Sequence, residues 1–174
     1  MEYLLYFVGV ASRLIPHAAN LTPVGAIGIF ATKKFGAAKA AILIMAIMLT
    51  SDIFLGFSRI SLFVYLGFFG YILASRLIRK NILGYLAAPI TGGLFFFIIS
   101  NFGVWLGPWY NHTSTGLAEC FSAAFPFYRN TLIGDVCFTI ALFSLSSIYD
   151  KIKAKYKEER WAQKLQPTSL TKRS

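Results

Sequence analysis

A few charged and polar residues stand out in a chain otherwise built from apolar runs. Glu2 lies at the N-terminus, and Asp150, Glu158 and Glu159 lie at or beyond the last run, which leaves Asp52, Glu119 and Asp135 among the acids. Arg13, His17 and Asn20 follow the first apolar run, and Arg129 and Asn130 precede Asp135. Asn101, Trp105, Trp109 and His112 fall in SNFGVWLGPWYNHTSTG, residues 100–116. The chemistry these types offer is recognition. A planar guanidinium at Arg13 or Arg129 matches a carboxylate or phosphate. The tryptophans offer faces for a ring to stack on. Asp52 and Asp135 would orient the arginines or accept hydrogen bonds from a ligand. The same residues have structural readings. Asp52 and Asp135 would pair with Arg59, Arg13 or Arg129 for packing alone, and Trp105, Trp109 and Tyr110 fit an interfacial aromatic belt.

Catalysis and metal binding find no support. The sequence holds no GxSxG, no phosphate-binding loop, no HExxH and no Cys/His cluster. His17 and His112 lack ligand spacing. We therefore expect no enzyme, no cofactor and no metal, and a chain that by itself cannot use ATP. Cys120 and Cys137 are expected to be free thiols packed as small apolar groups.

The elements that position these residues follow from composition. Of the 174 residues, 56% are hydrophobic and 14% charged, against about 25% charged in soluble domains. So much apolar surface calls for lipid as solvent. The net charge of +10 does not indicate nucleic acid, because eight of the 17 basic residues follow Ile148 and most others sit between apolar runs.

A hydrocarbon core of about 30 Å takes about 20 helical residues. Apolar segments occur near 2–15, 22–34, 37–57, 60–79, 82–106 and 129–149. The first two are short and flank a polar link between Pro16 and Pro23, an arrangement tolerated where a segment lines protein or a cavity. MEYLLYFVGVASRLIP lacks the basic start of a signal peptide and reads as a retained first helix. Residues 107–128, closed by Pro126, read as a long structured loop.

Six crossings with both termini inside place fourteen basic residues on the inner side: Lys33, Lys34, Lys39, Arg76, Arg79, Lys80 and eight in the tail. Only Arg13, Arg59 and Arg129 remain outside. This bias sets the orientation. The expected architecture is an all-α polytopic membrane helical bundle over 1–150 with a basic cytoplasmic tail over 151–174, in a bacterial cytoplasmic membrane. In that frame the polar candidates gather in the outer half and suggest an outward-facing pocket, with SNFGVWLGPWYNHTSTG as its lid. Small residues at Gly67, Gly70, Ala74, Ala88 and Gly92 serve internal helix packing or a docking face for another membrane subunit.

RLIPHAANLTPVGAIGIFATKKFG, SDIFLGF, SNFGVWLGPWYNHTSTGL and FPFYRNTLIGD, in this order over most of 13–135, resemble an uncharacterised family of small bacterial membrane proteins. More distantly, the architecture resembles the substrate-binding S components of energy-coupling-factor transporters. The first segment offers Gly9, Ala11 and Ser12 where S components often carry Ala-x-x-x-Ala. That resemblance implies capture of a micronutrient from outside and delivery through a transmembrane coupling subunit and two ATPases. The site residues it would use are Arg13, His17, Asn20, Asp52, Asn101, Trp105, Trp109, His112, Arg129, Asn130 and Asp135. An autonomous proton- or ion-coupled carrier or channel, or an accessory subunit of a membrane complex, are the rival readings. The nearly pure apolar inner halves of the segments weigh against a carrier pathway, which needs polar groups at every depth.

Overall fold

The structure is a computed structural model that describes residues 1–77 and 81–165; Arg79, Lys80, Lys172 and Arg173 of the inner-side count lie outside the described residues. Among the described residues the chain is all-α, with helices α1 (Glu2–Leu14), α2 (Val24–Phe35), α3 (Ala37–Leu55), α4 (Ser61–Leu77), α5 (Ile82–Trp105) and α6 (Ser114–Leu165). The breaks have local causes. Gly36 and Gly56 end α2 and α3 with φ of 95° and 91°, a region nearly closed to residues with a Cβ. Asn81 caps α5 by accepting the Gly84 N–H at 2.8 Å.

The expected loop at 107–128 is a correction. Helix begins at Ser114 and continues through Pro126. Thr113 starts it as an N-cap, accepting the Gly116 N–H on Oγ1 at 3.1 Å. Pro126 removes one backbone hydrogen bond to residue 122 but does not close the element, a loss that helices in lipid absorb through neighbouring groups. The chain divides into compact units at Met1–Leu142 and Phe143–Ser174. Taken by itself, the second unit is helical as far as Leu165, and its residues 147–163 are all exposed. No helix break falls at 150, the limit read from sequence.

Among the described residues, three helices are long and apolar enough to cross a membrane: Ala37–Leu55, Leu83–Trp105 and Ser114–Gln163. The apolar stretch Ser61–Arg76 is shorter. Their outward faces are apolar too, with Ile42, Ile53, Phe54, Leu83 and Leu145 exposed. That much exposed aliphatic and aromatic surface suits hydrocarbon, not water.

Helix α2 has 12 residues and, at about 1.5 Å per residue, falls short of a span. Every residue from Val24 to Thr32 is buried. It packs against α1, α3, α4 and α5, and Gly25 and Leu21 approach Asp135 and Gly134 of α6. A helix apolar on all sides belongs inside a bundle, and protein in place of lipid satisfies its surroundings. The small residues are used in the same way. Gly67 and Gly70 receive Phe96 and Phe95, and Gly92 receives Tyr71. The faces expected to dock another subunit are therefore filled by α4–α5 packing.

A Cβ at Gly92 would lie 2.9 Å from the Tyr71 Cα, a backbone atom that cannot turn aside. Gly92→Val should lower stability by about 1–3 kcal/mol through overpacking, read as a reduced midpoint in denaturant unfolding in micelles. An unchanged midpoint would mean that α4 and α5 do not approach at this glycine.

Candidate functional site

The end of α1 and the end of α3 meet through a charged pair. Arg13 donates from Nη2 to Asp52 Oδ1 as a hydrogen-bonded ion pair, from Nε to Ser51 Oγ at 2.6 Å, and from Nη1 to Met48 Sδ at 3.1 Å. Tyr65 of α4 donates to the other Asp52 oxygen at 2.6 Å. Asp52 is 5% exposed, so its charge is tolerated because both oxygens are bonded and a cation sits beside it. Of the three arginines open to Asp52 in the sequence, Arg13 is the partner. Arg59 and Arg129 are exposed, and no ion pair of theirs occurs among the described residues.

A second buried carboxylate has a different setting. Asp135, 2% exposed, accepts a hydrogen bond from the Tyr71 hydroxyl on Oδ2. Among the described residues it has no cationic partner. Gly25 and Gly93 bring bare backbone beside it: a Cβ at Gly25 would lie 2.5 Å from Oδ1, and one at Gly93 would lie 3.5 Å from Oδ2.

These groups border a cavity of about 240 Å³ lined by Arg13, His17, Asn20, Thr22, Gly25, Thr131 and Asp135, with Phe68, Tyr71 and Phe96 as its aromatic wall. A second cavity of about 270 Å³ shares Asn20, Val64, Phe96 and Thr131 with the first and adds Ser100, Asn101 and Tyr128. Each lies near the lower bound of small-molecule sites, about 300 Å³. Asn20 sits between them with φ of 63°, a left-handed conformation that asparagine adopts more readily than most residues. It lies in the polar link that lets the chain turn from α1 into the buried α2.

Of the candidate residues read from sequence, Arg13, His17, Asn20 and Asp135 line the first cavity and Asn101 the second. Asp52 stands behind Arg13. Asn130 ties α6 to the polar link by donating to the Ala19 carbonyl at 3.1 Å. Trp105, Trp109, His112 and Arg129 line neither cavity. Trp105 donates to the Asn111 carbonyl at 3.0 Å, stands edge-on to His112 at 5.6 Å, and His112 bonds the Gly107 carbonyl. Trp109 is exposed. The expected lid is thus a self-bonded turn between α5 and α6. At Arg13, three of the five guanidinium N–H donors serve Ser51, Asp52 and Met48.

The sequence reading missed Tyr71, Phe68, Phe96 and Thr131. Tyr71 carried a signal: a tyrosine in the middle of an apolar helix needs a partner for its hydroxyl. The phenylalanines carried none, being indistinguishable from exposed ones such as Phe54 and Phe57 without the packing. Among the described residues no group of three His, Cys, Asp or Glu side chains is placed to hold a metal ion. The cavity sets one aromatic wall against a few polar groups.

Residues 1–159 match the family of unknown function DUF6580, and the chain belongs to that family. No curated protein and no solved structure matches the chain.

Replacing Arg13 by Met or Asp52 by Asn strands the other charge in apolar surroundings. Each should cost about 3 kcal/mol, the low end for a broken buried pair because Arg13 keeps 16% side-chain exposure. The double variant should lose clearly less than the two losses combined. Denaturant unfolding of the four proteins in micelles measures this coupling, and strict additivity would show that the pair is not coupled.

Proposed function

As a member of this family of unknown function, the chain is, we propose, the substrate-binding component of a small-molecule uptake system in a bacterial cytoplasmic membrane. In this reading it crosses the membrane six times, keeps both termini in the cytoplasm and opens its cavity outward. The observation that carries it is the cavity at the α1–α3 end of the bundle. There, polar side chains from α1, the α1–α2 link and α6 face one space, and Arg13 is locked in place by Asp52 and Ser51. Polar groups are costly at membrane depth and concentrate where they bind something. The basic residues at the opposite ends of the helices support the outward orientation. The all-α build of the described residues is in keeping with the S-component reading, in which a transmembrane coupling subunit and two ATPases would complete the transporter. The use of the small-residue faces inside the bundle weighs against an accessory subunit that docks by them.

Val64 borders both cavities, so Val64→Trp fills the space without touching the ion pair. Native mass spectrometry of protein purified gently from its own host should find one small molecule per chain in the wild type and none in this variant. A wild type carrying lipids only would overturn the binding reading. Orientation is tested in cells with a variant lacking Cys120 and Cys137. A cysteine at His112 should react with an impermeant maleimide from outside, and one at Lys157 only after permeabilisation. The reverse pattern would invert the topology.

A further inference from the structure

The two buried carboxylates of the bundle differ in one respect that bears on the ligand. Asp52 is neutralised by Arg13 and bonded on both oxygens. Asp135 is the more buried of the two, at 2% against 5%, yet has only the neutral Tyr71 hydroxyl on Oδ2. Its Oδ1 has no hydrogen-bond partner among the described residues, and it borders the cavity beside Gly25. The other charged group on the cavity wall, Arg13, is spoken for by Asp52. His17 is exposed and its Nδ1 is engaged with the Ile15 carbonyl. Arg13 and Asp52 cancel each other, which leaves Asp135 as an acid on the cavity wall whose charge only an incoming cation would stabilise.

The wall next to that charge is aromatic. Phe68 lies 4.8 Å from Phe96 and 6.0 Å from Tyr71, and Tyr71 lies 6.3 Å from Phe96, between ring centroids. All three line the same cavity as Asp135. Ring faces are negative and attract a cation within about 6 Å, most strongly where water is excluded. A weakly hydrated organic cation gains from both features, whereas a carboxylate or phosphate would meet the acidic Asp135 and an arginine already neutralised.

We propose that the cavity takes a compact organic cation, a substituted ammonium or a positively charged nitrogen ring, with its charge against Asp135 and its apolar body against Phe68, Tyr71 and Phe96. This deepens the uptake reading and rests on it. It also reverses the preference for an anionic ligand that Arg13 suggests from sequence. Asp135 would be the specificity-determining residue: a bound cation supplies the counter-charge that lets the buried carboxylate ionise against it, and a neutral isostere does not.

The test uses the full chain in lipid nanodiscs. Binding is measured by calorimetry for N-methylpyridinium and choline, for 3,3-dimethylbutan-1-ol as the neutral isostere of choline, and for benzoate and inorganic phosphate. The cations should bind, and the neutral isostere and the anions should bind at least about tenfold more weakly. Asp135→Asn keeps the shape and an acceptor for Tyr71, and should weaken cation binding about 10- to 100-fold, the value of a charge-assisted contact. Should that variant fail to fold, Phe96→Leu, which leaves the carboxylate intact, should still weaken the cations and spare the neutral isostere. Native mass spectrometry of the wild type separates the two levels of the argument. A bound organic cation sustains both. A bound neutral or anionic molecule, or an Asp135→Asn variant with undiminished cation affinity, overturns the cation assignment and leaves the uptake reading standing. Lipids only, with no probe bound, overturns both.

Discussion

One arginine and one aspartate, each unable to stay charged and alone in apolar surroundings, hold the polar end of this protein together. Arg13 comes from α1 and Asp52 from α3, 39 residues apart. Tyr65 adds α4 to the same carboxylate, and Ser51 takes a further guanidinium donor. A buried charge forces such convergence, because each unsatisfied oxygen or N–H costs several kcal/mol where no water reaches it. Once these groups meet, the ends of α1 and α3 and the start of α4 are fixed at one place. The cavity beside them is the space left where the polar link from Ile15 to Thr22 crosses over to α2.

The second constraint is the short helix α2. It is too short to span a bilayer against lipid and exposes none of Val24–Thr32, so its passage is made inside the bundle and the other helices must surround it. Glycines make that possible. Gly25 and Gly28 let Tyr71, Asp135 and Ile44 approach α2, and Gly92 accepts Tyr71 from α4. Tyr71 thus occupies a junction of α2, α4, α5 and α6, with its ring in the packed interior and its hydroxyl on Asp135. Stability and site chemistry share the same side chain there. An aromatic ring is rigid and large enough to bridge several helices, and its hydroxyl supplies the one donor that the buried carboxylate finds.

Much of the helical layout was legible in the sequence. Five apolar segments appear as helices with ends shifted by at most three residues, because the breaks are written as Gly36, Gly56 and the prolines around the polar link. The exception, residues 107–128, failed on a physical point. Pro126 suggests a stop, but inside a helix it removes a single bond and the element continues. The N-cap at Thr113 was the signal that outweighed it. Four of the candidate site residues, Arg13, His17, Asn20 and Asp135, do share one cavity. Trp105, Trp109 and His112 do not, since aromatic and amide types in a turn satisfy one another as readily as they would a ligand.

The sequence by itself determined that the chain is helical, that its surface calls for an apolar solvent, and where its few charges lie along the chain. These follow from composition and from the spacing of apolar residues, which are local properties. Only the tertiary structure decided that Arg13 belongs to Asp52 and not to Asp135, that Asp135 is left with a tyrosine, and that Phe68 and Phe96 face a cavity while Phe69 and Phe95 do not line it. The reason is that pairing in a bundle depends on which helix faces meet and at what depth. That is set by the packing of all six helices at once, through the glycines and the buried α2, and not by the residue types at any one position.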